Sequence, residues 1–214
     1  MSRLCYRNEL IGLFGDPVDA NPTVIAMNAA FREFKMNFQY LNIKVLPEDL
    51  PQAIQSLKVL NMKGAHISAP HQLAVLPYLD AVTDIADQIG AVNTIYEYEG
   101  KMIGTNTDGI AFIHALNKKG IAIAGKHAVI LGAGGTAHAV CYELIKNGIE
   151  SIFIVNRTLE HAQTLVEHLK KKSSIPIHYE HWTSNYSIPE NTDFLINCTC
   201  IGFYPDTSVP DINY

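Results

Sequence analysis

The chain has 214 residues, 48% of them hydrophobic and 17% charged. That excludes a disordered chain, which needs few apolar residues and much charge, and the length suits between one and two domains of roughly 150 residues. Lys and Arg number 16 against 21 Asp and Glu, a net charge of −5, so no basic footprint invites a nucleic-acid backbone.

The longest positive run, Lys170-Lys171-Lys172, reads as a solvated tail at a helix C-terminus. No apolar stretch approaches the roughly 18 uncharged residues of a membrane span. The first ten residues hold two Arg and a Glu and lack the apolar segment of a secretory signal. Cys5, Cys141, Cys198 and Cys200 have neither zinc nor thioredoxin spacing and read as buried, reduced thiols of a cytoplasmic protein. No metal is expected.

In chain order, residues 10–14 read as a short buried strand closed by Gly15-Asp16-Pro17. Residues 22–35 carry Val24, Met27, Ala30, Phe31 and Phe34 near helical spacing. Residues 38–45 alternate as a strand, and Pro47-Glu48-Asp49 opens a helix to about Leu60. A strand at 63–68 precedes a helical stretch from about His71. Residues 91–102, split by Glu99-Gly100, read as a hairpin, and residues 107–118 as a helix.

The clearest unit follows: strand 126–131, a turn at Gly132-Ala133-Gly134-Gly135, helix 136–147, strand 151–155, then Asn156-Arg157-Thr158 and a helix to about Lys172. Short connections of this kind imply a parallel sheet with right-handed crossovers. Strands near 175–179 and at 194–197 extend it. The expected class is α/β, with a domain boundary near 105–108. Domain 1–106 is an α/β domain. Domain 107–214 is a dinucleotide-binding one that stops short of the usual six strands or so, either as a trimmed domain or as a fragment.

Gly132-Ala133-Gly134-Gly135-Thr136-Ala137 is a variant of the dinucleotide fingerprint, set between a strand and a helix as that motif requires. Its glycines make the turn and let backbone approach a pyrophosphate, and the helix N-terminus faces the anion. The alternative is a tight turn without a ligand. An acidic residue ending the second strand would bind the ribose of NAD. Asn156, Arg157 and Thr158 stand there instead, with a planar guanidinium suited to a phosphate, which favours NADP; the alternative for Arg157 is a solvated surface charge.

These segments resemble the shikimate dehydrogenase family, and the likeness runs over essentially all 214 residues. The matching stretches are Gly15-Asp-Pro-Val18, Asn28-Ala-Ala-Phe31, Pro47-Glu-Asp-Leu50, Gly90-Ala-Val-Asn-Thr94, Asn106-Thr-Asp-Gly-Ile110, Gly132–Ala137, Asn156-Arg-Thr158 and Asn197-Cys-Thr-Cys-Ile-Gly202. The resemblance implies a two-domain protein that reduces 3-dehydroshikimate to shikimate with NADPH, its small-molecule substrate lying between the domains. It implies substrate contacts at Asn93 and Thr107 and cofactor contacts at Gly132–Ala137, Asn156, Arg157, Thr158 and Thr199. The family's final strand, two closing helices and substrate-binding Gln have no counterpart in these residues.

Most departures fall in the substrate half; in the cofactor half, the family's second basic residue after Asn-Arg-Thr becomes His161, which counts slightly against NADP. Where the family has Asn-Val-Thr-x-Pro-His-Lys, this sequence has His66-Ile67-Ser68-Ala69-Pro70-His71-Gln72. Gln72 thus takes the place of the catalytic Lys, while its partner Asp108 is retained. His66 and Ser68 replace the Asn and Thr that contact substrate, and Asn21-x-Thr23 replaces a Ser-x-Ser pair that holds the substrate carboxylate. A Gln amide donates a neutral hydrogen bond and carries no proton to give. Either activity is weakened, or His66 or His71 supplies the acid, or the chain is a silent protein that binds NADP or a shikimate-like ligand. His71 also reads as the family's structural His.

Overall fold

The computed structural model describes residues 8–204 and 206–213. The chain divides into two units, Met1–Asn106 and Thr107–Tyr214. In the first, the apolar run from Leu10 to Phe14 forms β1 (Glu9–Gly15). Asn21 accepts a hydrogen bond from the Thr23 N–H at 3.0 Å and starts α1 (Thr23–Glu33), the groups after Pro22 turning helical. Strand β2 (Phe38–Lys44), helix α2 (Leu50–Val59) and strand β3 (Gly64–Ile67) follow. Then come β4 (Ala81–Val82), α3 (Asp84–Ile89), β5 (Thr94–Tyr98) and β6 (Lys101–Thr105).

These strands lie in the order β2-β1-β3-β5-β6-β4. β1 runs parallel to β2 and β3, β5 antiparallel to β3 and β6, and β4 parallel to β6. One face packs Leu13, Phe31 and Tyr40 together with Val24 and Met27 of α1. The other packs Phe14, Ile54, Leu57, Ile67 and Ile95. At the outer side of β2 the Asn28 side chain, from α1, accepts from the Tyr40 N–H at 2.8 Å and donates to the Tyr40 carbonyl at 3.0 Å.

Two expectations change in this unit, and one helix was not expected. The helix expected from Pro47 begins as a 3-10 turn, Pro47–Asp49, before α2. The helical stretch expected from His71 is one bonded turn, Val75 N–H to His71 carbonyl, and a 3-10 turn at Leu76–Tyr78. Pro77 lacks the N–H that a longer helix would use. Sequence reading also passed over α3, although Thr83 caps it and Gly90 ends it with φ 75°. The expected hairpin is β5 and β6, turning at Glu99 and Gly100 with φ 50° and 76°.

The second unit contains α4 (Asp108–Lys118), β7 (His127–Leu131), α5 (Gly135–Lys146), β8 (Ser151–Asn156) and α6 (Leu159–Lys170). It continues with β9 (Ile177–His181), β10 (Tyr186–Ser187), β11 (Phe194–Asn197) and β12 (Ile212–Asn213). β9 lies two residues beyond its expected position, and β10 and β12, a two-residue parallel pair, were not foreseen. The main sheet is fully parallel in the order β11-β7-β8-β9. Ile130, Val140, Leu144, Ile154 and Leu165 fill one side, and Val129, Leu131, Val155 and Trp182 form a smaller cluster. Among the described residues no helix is long and apolar enough to cross a membrane.

Asp80 ties α2 to the hairpin, accepting from Lys58 Nζ at 2.7 Å and from the Met102 N–H at 2.7 Å. The Lys58 and Met102 hydrogen bonds hold its carboxyl below the usual range. A depressed carboxyl contributes stability that is complete above the unfolded value, about 3.9, and lost as pH falls through the folded one. Asp80→Asn is therefore expected to flatten the acid limb of a stability profile below about pH 4, measured by denaturant melts across pH.

Candidate functional site

In each unit the expected residues collect at the carboxyl ends of parallel strands, beside the point where strand order reverses. In the first unit the chain leaves β1 for β2 on one side and later reaches β3 on the other. Such a switch point leaves a crevice that ligands use. Asn21 and Thr23 lie on the connection from β1 into α1. His66 is on β3, with Ser68 and Gln72 in the loop behind it. Asn93 precedes β5 and accepts the Ile67 N–H through its backbone carbonyl at 2.7 Å.

The loop 68–72 is bonded to the ends of several strands. The Ser68 N–H reaches the Phe14 carbonyl at 2.8 Å, and Ala69 accepts from the Asp16 N–H at 3.0 Å. Gln72 accepts from the Val92 N–H at 2.8 Å. His71 is 1% exposed and its Nε2 lies 2.8 Å from the Val45 carbonyl. A carbonyl only accepts, so Nε2 carries the hydrogen. Gln72 donates its Nε2 amide to the Ile67 carbonyl at 3.2 Å.

A register row joins Asn42 on β2, Leu13 on β1 and His66 on β3. Asn42 donates to the Val18 and Asn21 carbonyls at 2.9 and 3.0 Å, fixing the loop that presents Asn21. The Tyr40 hydroxyl lies 2.6 Å from His66 Nδ1. Tyr40 is fully buried, and that burial pushes its phenol pKa up.

In the second unit the reversal falls between β7 and β11. Gly132 takes φ 103°, and a Cβ there would stand 3.0 Å from the Cys198 carbonyl oxygen and from Thr199 Cγ2. The loop after β11 therefore rests on the glycine turn. Thr199 donates its hydroxyl to Asn197 Oδ1 at 2.6 Å. Burial, and then the charge of Asp108, push the Cys198 thiol up to about 12. Asp108, first residue of α4, thus stands near the end of β11, while exposed Thr107 precedes the helix without capping it through its side chain.

The glycine loop suits a dinucleotide. α5 starts with no side-chain cap and no acidic residue in its first turn, so N–H groups there want an anion. A Cβ on Gly134 would meet nothing within 4 Å, which leaves room for a pyrophosphate. Ala133 and Ala137 are buried and Thr136 is exposed. Asn156 donates to the Thr158 carbonyl at 2.8 Å and shapes the turn that exposes Arg157. Arg157 lines a cavity of about 210 Å³ with Trp182, Thr183, Ser184, Ile201 and Asp211.

Residues 13–95 match the shikimate dehydrogenase substrate binding domain, and residues 114–201 match shikimate / quinate 5-dehydrogenase. The shikimate dehydrogenase (NADP(+)) of Methanococcus maripaludis is 38% identical over 208 residues, covering 96% of this chain and 73% of that protein. The chain belongs to the shikimate dehydrogenase family. Among solved structures, a ligand-free 5-ketofructose reductase of Gluconobacter sp. is 37% identical with a TM-score of 0.80, covering 98% of this chain and 75% of that one. A shikimate dehydrogenase in complex with NADP+ is 36% identical with a TM-score of 0.80, covering 94% and 70%.

Against the family pattern the geometry sorts the two histidines. His71, buried and bonded to the Val45 carbonyl just past β2, holds the loop. His66 sits at the end of β3, next to the loop that carries Ser68 and Gln72. Sequence reading missed Tyr40, Asn42 and Trp182. Tyr40 and Asn42 are polar groups in a strand's inward-facing row, a signal available in the alternation of β2.

The cysteines also need correction. Cys141 is buried and Cys198 partly so, but Cys200 is exposed, and Cys5 lies outside the described residues.

Two glycines separate packing from ligand space. A Cβ on Gly109 would stand 2.4 Å from the Ala139 carbonyl oxygen and 2.7 Å from Glu143 Cγ, where α4 meets α5. Gly109→Ala is expected to cost about 2 kcal/mol or more through overpacking. Gly134→Ala, with open space around it, should change stability by less than about 0.5 kcal/mol while weakening dinucleotide binding. Denaturant melts beside a cofactor titration check both.

Proposed function

We propose that the chain is an NADP-dependent oxidoreductase reducing 3-dehydroshikimate, or a related ring hydroxy acid, to shikimate in aromatic amino-acid biosynthesis. The observation that carries this reading is the 38% identity with a shikimate dehydrogenase (NADP(+)) across 96% of the chain. The first unit is the substrate domain and the second the cofactor domain. A cytoplasmic location accords with this role.

NADPH, when bound, supplies a hydride. The residues placed to hold it are the N–H groups of Gly134, Gly135 and Thr136 for the pyrophosphate, Thr199 beside the turn, and Asn156, Arg157 and Thr158 for the 2′-phosphate. Asn21 and Thr23 offer an amide and a hydroxyl at the start of α1, where a helix dipole favours a carboxylate. His66, Ser68, Asn93 and Thr107 offer neutral hydrogen bonds to ring hydroxyls. Asp108 supplies the carboxylate of the reaction centre.

Gln72 sets the rate. A positioned general acid contributes about 10²–10⁴ in rate, and an amide that donates to the Ile67 carbonyl supplies none of it. The same observation favours a second reading, a silent protein that binds NADP or a shikimate-like ligand.

The decisive experiment follows NADPH oxidation with 3-dehydroshikimate. Slow but measurable turnover is expected, and Gln72→Lys should raise it by about tenfold or more. No turnover in either form, with NADPH still bound, would decide for the silent protein. Arg157→Ala should weaken NADP(H) by roughly tenfold, as loss of a charge-assisted pair implies, and spare NAD(H). Equal loss of both cofactors would refute the 2′-phosphate role.

A further inference from the structure

Tyr40 has no stated role in the chemistry above, yet it is fixed at both ends. Its backbone N–H and carbonyl are taken by Asn28 from α1. Its ring is fully buried among Leu13, Val18 and Phe31. Its hydroxyl reaches across β1 to His66 Nδ1 at 2.6 Å, with the two rings 5.5 Å apart.

The direction of the bond follows from satisfaction. A buried phenol has one hydrogen to place, and leaving it unmade costs about 1–3 kcal/mol. Among the described residues the Tyr40 hydroxyl has one hydrogen-bond partner, His66 Nδ1. The O–H therefore donates, and Nδ1 accepts through its lone pair. An imidazole that accepts at Nδ1 carries its hydrogen on Nε2.

We infer that Tyr40 is a positioning residue that locks His66 as the neutral Nε2–H tautomer, so that the ring presents a donor rather than a lone pair at Nε2, at the β3 end. The inference rests on the reading that this end of the first unit takes the substrate. It gives His66 the donor half of what the family's Asn amide offers and withholds the acceptor half. It also sets His66 apart from a substitute for the missing lysine, because the ring has no second hydrogen to release.

The test begins with the ligand-free full chain carrying ¹⁵N-labelled histidine, observed by NMR at neutral pH. The His66 signals are assigned by their loss in His66→Asn. The expected pattern has hydrogen on Nε2 and none on Nδ1. Hydrogen on Nδ1, alone or with Nε2, would overturn the inference.

Tyr40→Phe keeps ring shape and removes the donor. It should shift the tautomer ratio toward Nδ1–H by about five- to tenfold, the worth of one hydrogen bond. It should weaken shikimate binding by about threefold or more on the same grounds, with NADP+ binding unchanged. An unchanged tautomer ratio in a folded Tyr40→Phe protein would also overturn it. Should that variant fail to fold, the spectrum of the unaltered chain decides alone. A chain that fails to turn over 3-dehydroshikimate yet shows Nε2–H refutes the proposed activity and leaves the Tyr40 assignment standing.

Discussion

The first unit depends on how the loop from Ser68 to Gln72 satisfies its backbone. Parallel strands end with carbonyls and amides that no further strand covers, and burying them unpaired is costly. Here one short loop partners Phe14 and Asp16 at the end of β1, Val45 just past β2, Ile67 in β3 and Val92 before β5. Ser68 and Gln72 are therefore held by the same bonds that close the sheet. A neutral glutamine at position 72 brings no charge into this framework of bonds.

The second unit obeys the opposite rule. Its site depends on groups left uncovered: a helix that begins without a cap, a glycine with empty space where a side chain would be, and a guanidinium turned outward. An anion completes what the chain leaves open. The glycines at 132, 134 and 135 matter most in this half, because an anion at a helix start is met by backbone N–H groups, which depend on the glycine turn and little on the side chains around it.

Much of this was legible beforehand for a physical reason. The strand at 126–131, the glycine turn and the helix behind it announce themselves by a change of hydrophobic period at a glycine cluster. The supposed helix after His71 failed because Pro77 and the loop's external bonds outweigh local propensity. α3 went unread because six residues give too little periodicity, despite the Thr83 cap. His71 and His66 could not be told apart by residue type. One faces a carbonyl in the interior and the other a phenol two strands away, and only the register brings Tyr40 and His66 together.

Asn28 has an effect beyond the pocket. β2 is the outer strand of its sheet, and an outer strand offers its unpaired backbone to any passing chain. By occupying both the N–H and the carbonyl of Tyr40, the amide of Asn28 occupies the place of a neighbouring strand. A second molecule that tried to add itself there would have to evict a side chain anchored on α1, so the residue that steadies the tyrosine also guards the protein against strand-by-strand self-association.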